Sequence, residues 1–212
     1  MKVADSIDAS AVVHIIDDDP ALRRSLDGLL RSSGYTSLQH GSVDEFLASG
    51  MLDKPGCLVL DIRLPGMSGL DFQNRLREQE ISMPVILMTG FGDVPMSVQG
   101  MKAGAVDFLP KPFAAEQMLA AVSAALTRDR SEREHSARKE ALRDRWRLLS
   151  QREQEVLALV ATGQLNKQIA FHLGISEVTV KVHRSNGMRK LGASTIIAFA
   201  RIAEELGIIT RA

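Results

Sequence analysis

Apolar residues in the first 126 positions follow two rhythms. Short unbroken runs occur at 11–16 (AVVHII), 57–60 (CLVL), 84–89 (PVILMT) and 105–109 (AVDFL). Each is bounded by Gly, Pro or Asp and is too uniformly apolar for a strand with one wet face. Strands buried on both faces read this way. A weaker strand fits at Tyr35–Gln39. Between the runs, apolar positions recur with helical spacing. ALRRSLDGLLRSSG follows Asp19-Pro20, a cap with a first-turn proline, and stops at Gly34. Ser42 and Glu45 have capping-box spacing before FLASG. LDFQNRLREQE is amphipathic. MSVQGMKAG follows Pro95, and AAEQMLAAVSAAL is a strong helix former. The alternation predicts an α/β domain over 10–126: a doubly wound, five-stranded parallel sheet with helices on both faces.

From Thr127 to Arg147 the pattern changes to TRDRSEREHSARKEALRDRWR, without Gly or Pro and with alternating charge. Pairs such as Glu134 with Arg138 and Glu140 with Arg143 have helical spacing. This predicts a helical linker over 127–147, either a solvated spacer or a helix paired with a second chain. Residues 148–212 carry only helical patterns. Ser150 and Glu153 form a second capping box before EVLALVATG. NKQIAFHLG, EVTVKVHRSNGMRKLG behind Ser176, and TIIAFARIAEELG complete an all-α four-helix domain.

Composition adds a division of labour. Hydrophobic residues make up 45% and charged residues 25%, as in ordinary globular proteins, while aromatics are only 4%. The formal charge is zero, but residues 1–126 hold 10 basic and 16 acidic side chains, whereas residues 146–212 hold 9 basic and 5 acidic. An acidic half followed by a basic half points to two tasks, one involving nucleic acid. The N-terminus has no apolar signal stretch, and no run reaches membrane-spanning length. The single cysteine, Cys57, is expected to be buried. A cytoplasmic protein without a membrane partner is expected.

The predicted strands end in polar residues. Asp17-Asp18-Asp19 follow the first run, Asp61 the next strong one, Thr89 closes PVILMT, and Lys111 follows AVDFLP. A parallel sheet gathers such strand ends on one edge. Clustered carboxylates are costly to ionise together, and a hard cation such as Mg2+ relieves that cost. A carboxylate can attack phosphorus, with a metal and an ammonium stabilising the charge on the phosphoryl oxygens. Asp17 and Asp18 can hold Mg2+, Asp61 can attack, and Thr89 and Lys111 can contact the phosphoryl group.

In HIIDDDP, LVLDIRLPGMSGLD, PVILMTG and AGAVDFLPKPF the chain resembles the receiver domains of two-component response regulators. The resemblance implies that Asp61 is the phosphoacceptor. It implies metal contacts from Asp18, from Asp17 largely through water, from Asp61, and from the Arg63 carbonyl. Thr89 would be the switch hydroxyl, Phe108 the switch aromatic, and Lys111 the phosphate-binding lysine, with a cis Lys111-Pro112 bond. Phe108 stands where Tyr is more frequent, so switching there would use ring packing alone. A haloacid-dehalogenase-type phosphatase would need a second aspartate two positions after the nucleophile. Arg63 stands there, so an enzyme is not expected. Gly90-Phe91-Gly92 is too short for a nucleotide fingerprint.

LLSQREQEVLALVATGQLNKQIAFHLGISEVTVKVHRSNGMRKLG resembles the LuxR/NarL-type helix-turn-helix. GDVPMSVQGMKAGAVDF and EVTVKVHRSNGMRKL draw the likeness toward the FixJ subgroup, particularly its TodT/StyR-like members. Ile169, Ala170, Leu173, Val178 and Val182 are expected to pack the two helices together. Lys181, Arg184, Ser185, Arg189 and Lys190 offer polar reach from the second helix. The resemblance implies base contacts from Lys181, Val182 and Ser185, and phosphate contacts from Thr179, Arg184, Asn166 and Lys167. His183 is expected to pack or cap. Gly187 either admits a neighbouring helix or weakens its own.

The expectation is a transcription factor phosphorylated on Asp61 by a sensor histidine kinase. It would then form a homodimer, bind promoter double-stranded DNA and activate transcription, with RNA polymerase a candidate partner. The alternative is a DNA-binding regulator that needs no phosphorylation.

Overall fold

A computed structural model describes residues 10–79, 81–90, 100, 102 and 104–208. It divides into two compact units, Met1–Arg133 and Glu134–Ala212.

In the N-terminal unit the strands are β1 (Val12–Ile16), β2 (Thr36–His40), β3 (Gly56–Asp61), β4 (Val85–Thr89) and β5 (Asp107–Pro110). They form one parallel sheet in the order β2-β1-β3-β4-β5. The helices with both ends among the described residues are α1 (Pro20–Ser32), α2 (Val43–Ala48), α3 (Gly69–Glu78) and α4 (Ala115–Arg147), the last continuing beyond Arg133. The expected doubly wound fold is present. The helix expected over MSVQGMKAG lies mostly outside the described residues.

The uniform apolarity of the strands has a direct cause. Alternate strand residues point to opposite faces, and both faces are covered. Val13, Ile15, Cys57, Val59, Ile86 and Met88 pack with Leu26 and Leu30 of α1 and Met118 and Val122 of α4. Ile16, Leu58, Leu60, Val85 and Leu87 pack with Phe46 of α2 and Phe72 and Leu76 of α3. Cys57 is fully buried, as expected. The run AVDFL departs from the expectation of full burial: β5 is the sheet's edge, and Asp107 and Phe108 are half-buried.

Capping follows the sequence. The Asp19 side chain accepts from the Ala21 and Leu22 amides, and Ser42 accepts from Glu45. The strong helix former expected after Ala114 and the predicted linker helix are one helix, α4. Its residues beyond Leu126 are not all solvated. Asp129 is buried, and its Oδ2 accepts from the Gly56 amide at 3.0 Å. Arg133 Nε donates to both Asp129 oxygens at 2.9 Å. The same guanidinium donates to the Asp53 carbonyl at 2.9 Å and the Lys54 carbonyl at 2.7 Å. These bonds tie α4 to the loop that starts β3.

In the C-terminal unit, Glu134–Ala141 carries no buried apolar side chain. Arg138 pairs with Glu205 at 3.2 Å rather than along its own helix, while Arg143 meets Glu140 at 3.3 Å as the spacing predicted. Four helices follow: α5 (Gln151–Ala161), α6 (Asn166–Leu173), α7 (Glu177–Leu191) and α8 (Ile196–Glu205). Val156, Leu157, Val160, Ile169, Val180, Leu191, Phe199 and Ala203 form their shared core.

Candidate carboxylate site and nucleic-acid interface

Sheet register builds the first site. Ile16 pairs with Leu60, so the next residues, Asp17 and Asp61, emerge side by side. Thr89 pairs with Pro110, so Lys111 emerges beside them. The Lys111 amide donates to the Thr89 carbonyl at 2.6 Å and fixes the lysine's backbone. Lys111 Nζ then reaches Asp17 Oδ2 at 2.7 Å and Asp61 Oδ1 at 3.1 Å. Carboxylate oxygens of Asp17, Asp18 and Asp61 lie within 4.8 Å of one another. Asp17 and Asp61 are buried, and Asp18 is exposed at the rim. The Lys111-Pro112 bond is cis, as expected.

One ammonium faces three carboxylates. Burial drives the Asp61 carboxyl above its ordinary value; Lys111 opposes this, while Asp17 and Asp18 add to it. Burial alone would lower Lys111, but Asp17 and Asp61 hold it above its ordinary value. A pocket with this excess of negative charge is stabilised by an oxygen-seeking divalent cation. The donor set, three carboxylates open on Asp18's side, fits Mg2+.

Thr89 is buried at the end of β4, with Oγ1 donating to the Gly90 carbonyl at 3.3 Å. Phe108 is half-buried against the cluster that contains Leu87 and Ile62. Arg63 is exposed two residues beyond Asp61.

Several supports were not read from the sequence. Gly69 lets α3 begin against the backbone of Asp61, where a Cβ would collide with the Asp61 carbonyl. Arg23 Nη1 donates to the Asp17 carbonyl at 2.5 Å, and Asp17 Oδ1 accepts from the Asp19 amide at 2.8 Å. Nearby, His14 and His40 are buried, with Nδ1 and Nε2 3.1 Å apart and both rings edge-on to Phe46. Burial lowers both; His14 falls to about 4, with His40 contributing second.

The second site is a helix pair. α6 ends on Gly174 in the left-handed conformation, which glycine adopts without strain. Ser176 then caps α7 by accepting from the Thr179 amide at 3.1 Å. Ser176 and Thr179 hydroxyls are 2.8 Å apart. Ile169 and Ala170 are buried and Leu173 packs against the core, as expected. Val178 and Val182 do not pack: they are 70% and 52% exposed, and Val180 fills the core instead. The reason is helical phase. Only one valine of the alternating three can share a face with Gly187 and Leu191. Gly187 has a packing role, since a Cβ there would lie 2.7 Å from Leu157 of α5. It admits the neighbouring helix.

Arg184 Nη1 donates to Asn166 Oδ1 at 3.1 Å and joins α7 to the start of α6. Asn166, Lys181, Arg184 and Ser185 line one shallow groove with Met188. Lys167, Lys181, Ser185 and Arg189 are exposed. Arg189 donates to Asn186 at 3.3 Å. Lys190 is exposed too, with its Nζ 2.7 Å from Glu153 Oε2. Glu153 is buried, also accepts from the Ser150 amide at 2.8 Å, and lies below the ordinary carboxylate range, chiefly because of Lys190.

Residues 13–123 match the family described as "Response regulator receiver domain", and residues 147–203 match "Bacterial regulatory proteins, luxR family". Nodulation protein W of Bradyrhizobium diazoefficiens is 48% identical over 198 residues, 93% of this chain and 87% of that protein. A structure of the response regulator StyR is 40% identical, with a TM-score of 0.80 over 92% of this chain and 99% of that one. Full-length FixJ from B. japonicum is 35% identical, with a TM-score of 0.57 over 94% of this chain and 98% of that one.

Proposed function

The chain belongs to the two-component response regulators of FixJ-like type, which join a receiver domain to a LuxR-type DNA-binding domain, and on that premise we propose that phosphorylation of Asp61 controls its binding to promoter DNA. It is a transcription regulator, not an enzyme. The observation that carries the proposal is the Lys111 ammonium, 2.7 Å from Asp17 and 3.1 Å from Asp61 on the edge where three carboxylates meet.

Asp17, Asp18, Asp61 and the Arg63 carbonyl would hold Mg2+. Bound there, the ion supplies positive charge that offsets the crowded carboxylates and the incoming phosphoryl oxygens. An Asp61 carboxylate oxygen attacks the phosphorus of a phosphohistidine on a sensor histidine kinase. An O–P bond forms, the P–N bond breaks, and the electron pair returns to the departing imidazole. Lys111 then turns from Asp61 to the phosphoryl group, and the Thr89 hydroxyl donates to it. Phe108 follows into the space that Thr89 vacates. Because Lys111 and Thr89 are joined through their backbones, one movement can carry both.

The division of labour is a receiver at 10–126, a helical linker at 127–147 and a DNA-binding domain at 148–212. The first linker turns, through Arg133, are held to the receiver. The phosphorylated receiver forms a homodimer, which sets two α7 helices on adjacent major grooves. Lys181, Val182 and Ser185 approach bases. Asn166, Lys167, Thr179 and Arg184 approach phosphates, with Arg189 farther along the helix. Lys190 serves the fold through Glu153. Transcription is activated, with RNA polymerase as partner, in the cytoplasm. Among the described residues no helix is long and apolar enough to cross a membrane.

The test is labelling with acetyl phosphate and Mg2+, resolved on a phosphoprotein gel. Wild type is expected to label, and Asp61→Asn or chelated samples are not. Equal labelling of Asp61→Asn would remove Asp61 as acceptor.

A further inference from the structure

The outward face of α7 has an uneven chemistry. Val178, Val182, Ser185 and Arg189 recur at i, i+4, i+7 and i+11, and all four are exposed. They form one stripe, opposite the buried Val180, Gly187 and Leu191. The C-terminal half of the stripe ends in polar residues. The N-terminal half is two valines one turn apart, 70% and 52% exposed. Neither contributes to the core, and β-branched residues are poorer helix formers than Ala on an exposed helix face. The fold therefore gives no reason for valine at either position.

We infer that Val178 and Val182 form a two-residue methyl reader that selects thymine at two positions of each half-site. The inference rests on the proposed DNA-binding reading and extends it to Val178. An aliphatic side chain offers no hydrogen bond. Of the groups displayed in the major groove, the thymine C5-methyl is the one it complements. Cytosine would place its N4 amino donor, and adenine its N6 donor, against an apolar wall and away from water. An unsatisfied donor is costly, so the pair also rejects those bases. The N-terminal part of a recognition helix is the part that meets base edges, and Val178 is its second residue. Lys181, on the flank of the stripe, stays available for guanine or phosphate.

The experiment uses the full-length chain with acetyl phosphate and Mg2+. A selection from a randomised DNA duplex library supplies the probe. Each thymine of the selected site is then replaced, one at a time, by deoxyuridine, which removes only the methyl. Wild type is expected to lose about fourfold in affinity at each of two positions per half-site, the value of one buried methyl. Val178→Ala should be indifferent to one of those swaps and Val182→Ala to the other. Both variants keep the fold, because Ala is the better helix former at an exposed site, and thermal melting checks this. Wild type indifferent to every uracil swap overturns the inference, as do variants that keep wild-type sensitivity. If binding is salt-dependent and a site is enriched, such a failure leaves the DNA reading standing. No enriched site together with salt-independent binding would sink both.

Discussion

Two lysines in this protein make the same bond and serve opposite ends. Lys111 in the N-terminal unit and Lys190 in the C-terminal unit each place Nζ 2.7 Å from a buried carboxylate. Around Glu153 the charges balance: one carboxylate, one ammonium and a capping amide, with the carboxyl held below its ordinary value. Around Lys111 they do not. Asp17, Asp18 and Asp61 share one ammonium, and Asp61 is pushed above its ordinary value, first by burial. A balanced pair is finished and acts as structure. A cluster with surplus negative charge favours a cation, which suits the proposed Mg2+ site. Distance alone does not separate the two cases; the count of like charges does.

The sharpest way to break this comparison is to remove each lysine. Lys111→Met is expected to slow Asp61 labelling by acetyl phosphate on the order of a hundredfold, the size of losing one charged group from a transition state. Lys190→Met should leave labelling unchanged. Equal effects of the two substitutions would erase the distinction.

The His14–His40 pair carries neither surplus nor balance, since both rings are buried and kept neutral. The folded value of His14, about 4, lies below its unfolded value of 6.5. Its contribution to stability is therefore complete above pH 6.5 and is lost as pH falls toward 4, by roughly 3 kcal/mol. Urea unfolding of the N-terminal unit across that range measures it, and His14→Met should flatten the slope. A wild-type profile already flat from pH 6.5 to 4 would contradict it.

Glu153→Ala is expected to cost about 2 kcal/mol of C-terminal stability, from a charge-assisted hydrogen bond and a cap together. The smallest effect has the opposite sign. Because the folded pKa of Asp61 is raised, ionised Asp61 is a liability at neutral pH without a cation. Asp61→Asn removes one of three crowded carboxylates, so it should slightly stabilise the metal-free N-terminal unit and lose that advantage when Mg2+ is added. Thermal melts with and without Mg2+ check both signs.

The carboxylate site was legible in the sequence because its members end apolar runs, and parallel strands bring such ends together. Asp17, Asp61, Thr89 and Lys111 needed no knowledge of side-chain packing. The recognition helix was harder. Valines at 178, 180 and 182 alternate like a strand, so their helical phase could not be set by hydrophobicity alone. The phase is fixed by Gly187 and Leu191, which must meet Leu157 and the core. Lys190 read as one more cation of a basic helix, because Glu153, its partner, lies 37 positions away. Asp129 and Arg133 likewise read only as part of the charged linker. The buried role of Asp129 depends on the Gly56 amide, 73 positions earlier. What the sequence concealed were pairings between distant polar residues, which leave no periodic trace.

The central claim is that a phosphoryl group on Asp61 governs how α7 meets DNA. Its most direct test is the affinity of the full chain for a selected duplex, measured with and without acetyl phosphate and Mg2+, for wild type and Asp61→Asn. The account predicts that the phosphodonor raises wild-type affinity tenfold or more, a bias of about 1.4 kcal/mol between two states, and leaves the variant unchanged. Equal affinity in all four conditions would contradict it and favour a regulator that binds DNA without phosphorylation.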